Sequence, residues 1–183
     1  MKKFFKQKNK KEGFTLVETL IAIAIFSMSI LALMSVLGSG IADTSYAKQK
    51  TIASYLAEEG IEAVRNFRDN YLLYGGGNNW TNFISKLVSC NRGEGNGCGI
   101  NSTFATTDNR FIFKCSDTAR CNLYLDNGDY NVVTGNDSGF VREIWMENMG
   151  DDEVKIYSTV SWRQGSGSYS ITLSGNLYNW IEY

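Results

Sequence analysis

The chain has 183 residues, 43% of them hydrophobic, which suits one folded domain with an appendage. It contains no His, which excludes Ser-His-Asp and Cys-His catalytic arrangements and ordinary His-containing zinc sites, and no Pro, so every turn falls to Gly, Asn, Asp and Ser. Six of the 18 basic residues and one of the 19 acidic ones lie in residues 1–13, which leaves 12 basic against 18 acidic residues in the body, a poor surface for nucleic-acid phosphates.

Lys2, Lys3, Lys6, Lys8, Lys10 and Lys11 precede an apolar run from Leu20 to Leu37 that is interrupted only by Ala, Ser27, Ser29 and Ser35. Counted from Phe14 to Leu37 the block is 24 residues. As a helix it is about 36 Å long, enough to cross a hydrocarbon core of about 30 Å, with the basic end expected in the cytoplasm. A secretory signal would carry a shorter apolar core, with Gly38-Ser39-Gly40 and Ala42 as its cleavage region, and that alternative stays open. Glu18 is the anomaly, because a carboxylate on a membrane helix is costly unless it lies at the interface or meets a partner. Cutting after Gly13 would create one partner, the free amine of Phe14.

Lys11-Glu12-Gly13 followed by Phe14-Thr15-Leu16-Val17-Glu18 resembles the N-terminal signal of type IV pilins and type II secretion pseudopilins. The strict resemblance covers residues 8–40. It implies a basic leader, residues 1–13, that a prepilin peptidase removes between Gly13 and Phe14, with N-methylation of Phe14. It further implies that Phe14 and Glu18 serve assembly, Glu18 of one subunit neutralising the Phe14 amine of another. The implied partners are the prepilin peptidase, other pilin or pseudopilin subunits, an inner-membrane assembly platform and membrane lipid. Residues 14–40 would form the membrane and filament-core half of the helix. The implied location is a single span with the N-terminus in the cytoplasm and the head outside, later an extracellular or periplasmic filament. Gly38 and Gly40 stand where many pilins carry a proline; each interior Gly costs about 1 kcal/mol relative to Ala, so a bend or melting on assembly is expected there.

Further along, Ile52, Leu56, Gly60, Ala63 and Phe67 recur at helical spacing beside Ala53, Ala57, Ile61 and Val64, with Glu58, Glu59, Glu62, Arg65 and Asp69 on the other side. One helix is therefore expected from Phe14 to about Arg68, its amphipathic half over residues 41–70, with the charges as a solvated face. The head, 71–183, opens with "YLLYGGGNN" and an irregular Gly/Asn-rich stretch holding a short helix at 80–88. Strands are expected at 111–114, 122–125, 130–134 and 140–147, the second and third joined through Asn127-Gly128. The alternation of Val154, Ile156, Val160 and Trp162, with a return over Tyr169, Ile171 and Leu173, completes an antiparallel sheet. The fold class is α+β, and a long helix packed on such a sheet is also what the resemblance implies.

Cys90, Cys98, Cys115 and Cys121 make an even number beyond the membrane segment and suggest disulfides. Three connectivities exist; the local pairs Cys90–Cys98 and Cys115–Cys121 are favoured because their short loops close easily, and a tetra-cysteine zinc site lacks any C-x-x-C pair. Asp126, Asn127, Asp129 and Asp137 are weak calcium candidates with non-EF-hand spacing, and turn conformation is the commoner reason for such residues; no other cofactor is indicated. No catalytic constellation is found. The function expected is a structural, minor subunit of a type IV pilus-like filament. A type II secretion or competence pseudopilin is the alternative within the family, and a signal-anchored or secreted binding module the alternative outside it.

Overall fold

The computed structural model describes residues 13–74, 79–92, 97–106, 108, 110–115 and 121–180. The leader up to Glu12 lies outside them, as do the three glycines after Tyr74. The chain divides into two compact units, Met1–Ser45 and Tyr46–Tyr183.

Helix α1, Leu16–Tyr74, contributes to both. Within the first unit every described side chain is exposed. Leu20, Ile23, Phe26, Leu31 and Val36 point in different directions around the axis and are all largely bare. Two hydroxyls in this run turn back onto the helix: Ser27 donates to the Ile23 carbonyl at 2.8 Å and Ser29 to that of Ile25 at 2.9 Å. That back-bonding makes Ser tolerable on an otherwise apolar surface. Gly38 and Gly40 are helical, and the hydroxyls of Ser39 and Thr44 bond across them to the carbonyls of Ser35 and Gly40 at 3.1 and 2.7 Å.

In the second unit α1 turns amphipathic and buries Ala53, Leu56, Ala57, Gly60, Ile61, Val64, Phe67 and Leu72. It extends six residues past the expected end at Arg68, to Tyr74. Packing and a bond from outside the helix hold this last stretch: Leu72 is buried in the core cluster with Tyr71 packed against it, and the Asn79 side chain donates to the Leu72 carbonyl at 3.1 Å. Capping of a terminal carbonyl from outside the helix is not visible in the helix's own sequence. Helix α2, Asn79–Leu87, followed by a 3-10 turn at Val88–Cys90, brings Trp80, Phe83 and Leu87 onto the same cluster.

The sheet is antiparallel throughout. Its strands are β1 (Cys98–Ile100), β2 (Ile112–Lys114), β3 (Asn122–Asp126), β4 (Asp129–Asn131), β5 (Asn136–Asn148), β6 (Glu153–Gln164) and β7 (Gly167–Tyr178). β5 is the hub. One side pairs with β6 from Phe140↔Trp162 to Asn148↔Val154, and the other is shared by β3 near Phe140 and β1 at Ile144. Alternation places Phe140, Ile144, Met146, Val154, Ile156, Val160 and Trp162 on the buried face. They form two clusters. One centres on Val64, Phe67, Phe83 and Ile144, the other on Ala53, Leu56, Phe140 and Trp162.

Sequence and structure differ at four strands. β4 stops at Asn131 instead of running to Thr134, because the Asn131 side chain accepts the amides of Val133 and Thr134 at 2.8 and 2.7 Å and bends the chain away. β5 and β7 run longer than the apolar alternation, and β1 was not expected. The Asn127-Gly128 turn takes the form its sequence signals, with φ of 51° and 97°.

Candidate assembly site

Residues 13–15 precede α1 and are exposed. A Cβ added at Gly13 would meet nothing within 4 Å, so the backbone there is open to an approaching protein. Thr15 closes the helix start: its side-chain oxygen accepts the Glu18 amide at 3.3 Å and its carbonyl accepts the Thr19 amide at 3.2 Å. Thr15 and Glu18 thus have the Thr-x-x-Glu spacing of a capping box, and a carboxylate in a first turn favours the helix dipole. Phe14 lies one residue before the cap and is 78% exposed. The next acidic or basic residue after Glu18 is Asp43. α1 is long and apolar enough to cross a membrane.

The family model for the prokaryotic N-terminal methylation motif matches residues 8–41, a range that holds Gly13, Phe14 and Glu18. In this segment the chain is similar to proteins that carry that motif. The pilin-like chain is also 35% identical over 48 residues to type II secretion system protein I of Escherichia coli, a stretch covering 26% of this chain and 39% of that protein. The match therefore spans about two fifths of that relative's length. No solved structure matches this pilin-like chain. Its architecture is α+β, with the helix from Tyr46 onward packed on the antiparallel sheet.

In the head, the structure joins Cys90 to Cys98 and Cys115 to Cys121, with Cα separations of 5.2 and 5.8 Å. The first ties the 3-10 turn to β1, and the second ties the end of β2 to the start of β3. Asp126, Asn127 and Asp129 line an open groove of about 580 Å³ with Glu59 and Thr103, whereas Asp137 lines a separate depression beside Trp162 and Arg163. Two of these carboxylates serve turns, Asp126 accepting the Thr134 hydroxyl at 3.1 Å and Asp137 the Gly139 amide at 2.9 Å. Among the described residues no cluster of three or more His, Cys, Asp or Glu is placed to hold a metal.

One polar feature went unread in the sequence. Arg142 sits on the buried face of β5, 4% exposed, and donates to the Leu56 carbonyl at 3.2 Å while its guanidinium meets Glu59 at 3.1 Å. Burial lowers the Arg142 pKa from its ordinary value, and the Glu59 carboxylate acts the other way. Glu59 is thus not simply part of a solvated face. The signal was present in the alternation Phe140, Arg142, Ile144, Met146, where a cation occupies an inward position. Breaking a fully buried pair costs about 3–5 kcal/mol. Because Glu59 is 49% exposed, Glu59→Leu is expected to destabilise the head by about 1–2 kcal/mol, and an unchanged urea midpoint would show that Leu56 and water suffice for Arg142.

Proposed function

We propose that this pilin-like chain is a minor structural subunit of a type IV pilus-like filament. Prepilin peptidase cuts it between Gly13 and Phe14 and N-methylates Phe14, and it is stored as a single-span membrane protein until assembly. The observation that carries this is the methylation motif over residues 8–41 in a chain whose helix is apolar from Leu20 to Leu37 and exposed on every side there. A bilayer or a bundle of like helices would both cover such a helix. Incorporation is guided by Glu18, which meets the Phe14 amine of a neighbour; in low dielectric either group left alone is strongly penalised. The role is structural, not catalytic. The match to type II secretion system protein I favours, as a second reading, a pseudopilin of a secretion system.

Mass spectrometry of the mature chain tests the proposal. The expected species begins at methylated Phe14, and Gly13→Val is expected to accumulate as uncut precursor because the peptidase must approach the backbone closely where Gly has no side chain. Mature-length protein from Gly13→Val, or a wild-type chain cut near Gly40, would speak for a secreted binding module. Recovery in sheared surface filaments, compared with loss of protein export when the chain is deleted, separates pilus from secretion system.

A further inference from the structure

Among the described residues β7 forms an open edge of the sheet, pairing with β6 alone in one uninterrupted register from Glu153↔Tyr178 to Gln164↔Gly167. The two-residue connection, Gly165-Ser166, has Gly165 at φ 58°, and in such a hairpin the closing pair exchanges both backbone hydrogen bonds. Odd-numbered residues from Gly167 to Leu177 therefore bond to β6, and even-numbered ones from Ser168 to Tyr178 turn their N–H and C=O outward. Natural sheets guard such a row with Lys, Pro, a bulge or brevity. None of these guards is present. β7 is 12 residues long, where strands commonly have about 5–6. Residues 164–180 contain no Asp, Glu, Lys, Arg or Pro. On the sheet's other side the outermost strands, β2 and β4, have only three residues each, with Lys114 in one and Asp129 in the other.

We infer that β7 is a docking edge that takes an extended, uncharged strand from a neighbouring subunit of the filament. Only another extended backbone matches a row of alternate amides and carbonyls. The neutral edge offers a charged segment no counter-ion, which selects a neutral one. On the helix side Ile171 and Leu173 are half-buried against the second core cluster and Tyr169 is 40% exposed. The incoming strand therefore carries apolar residues at alternate positions, which complete that layer. The inference rests on the filament reading above.

The test is made in the full chain with its assembly machinery, using a photo-crosslinking residue at Ser174 together with Ser170→Pro and Ser170→Lys. The amide of Ser170 faces outward, so proline there leaves the β6 ladder intact while blocking the edge, and lysine restores the missing guard. Expected is a crosslink from Ser174 to another subunit, reduced at least tenfold in both variants, each still processed and disulfide-bonded. Filaments that contain the chain but show no such crosslink, or crosslinks and incorporation unchanged in both variants, would overturn the docking edge alone. So would β7-to-β7 crosslinking between copies without the machinery. A chain that keeps its leader would overturn both this inference and the filament role.

Discussion

Gly60→Val is expected to destabilise the head by about 3–4 kcal/mol, a large fraction of the stability of a domain this size. Gly60 lies in the middle of the buried stripe of α1, and a Cβ placed there would come within 2.5 Å of the Ser158 hydroxyl, 2.9 Å of Ile144 Cδ1 and 3.2 Å of Arg142 Cδ. Helix propensity works in the opposite direction, since interior Gly costs about 1 kcal/mol relative to Ala. Close approach of helix to sheet wins here, because the Ser158 and Ile144 side chains are fully buried and Arg142 is held by both Leu56 and Glu59. Gly60→Ala should therefore lose less than valine but still lose. Urea denaturation of the full chain in detergent, followed by tryptophan fluorescence, reads both. A valine variant within about 0.5 kcal/mol of wild type would mean that the helix can lift off the sheet at no cost.

Glu18→Leu should insert into the membrane normally and be processed, yet enter filaments at least tenfold less, equivalent to about 1.4 kcal/mol. Insertion depends on the lysines and the apolar run, which the substitution only extends. On the proposed role incorporation depends on the carboxylate, without which a neighbour's Phe14 amine would be left unpaired in a low-dielectric bundle. Glu18→Lys should be at least as damaging, since two cations would then face each other. Comparing membrane and sheared-filament fractions beside the wild-type chain measures this. Wild-type incorporation of Glu18→Leu would show that apolar packing alone sets the register.

Much of the architecture was legible because its signals are local. The helical stripe from Ile52 to Phe67 and the alternation of β6 are periodic over many residues, and Asn127-Gly128 dictates its own turn. What was missed depends on partners distant in sequence. β1 is three residues, too short for any alternation to register, and is fixed by its disulfide and by pairing with β2 and β5. The last turns of α1 rest on Asn79 and on the burial of Leu72 in the core cluster. At the candidate assembly segment the methylation motif was legible as a short linear pattern, and the structure adds Thr15, which caps the helix with its side chain. The Arg142–Glu59 pair joins strand to helix across 83 positions, and only the odd cation in an inward row hinted at it.

The even apolar coat of α1 from Leu20 to Leu37 also bears on the energetics of polymerisation. A helix with a single sticky side would prefer one neighbour and resist leaving it. A helix coated evenly, with the Ser27 and Ser29 hydroxyls already bonded to its own carbonyls, is nearly indifferent between lipid tails and like helices. Moving it from one medium to the other then changes little hydrophobic free energy in either direction. Growth and dissolution of a polymer built this way become close to isoenergetic for the shaft, so small contributions from the ends and the heads decide which direction prevails.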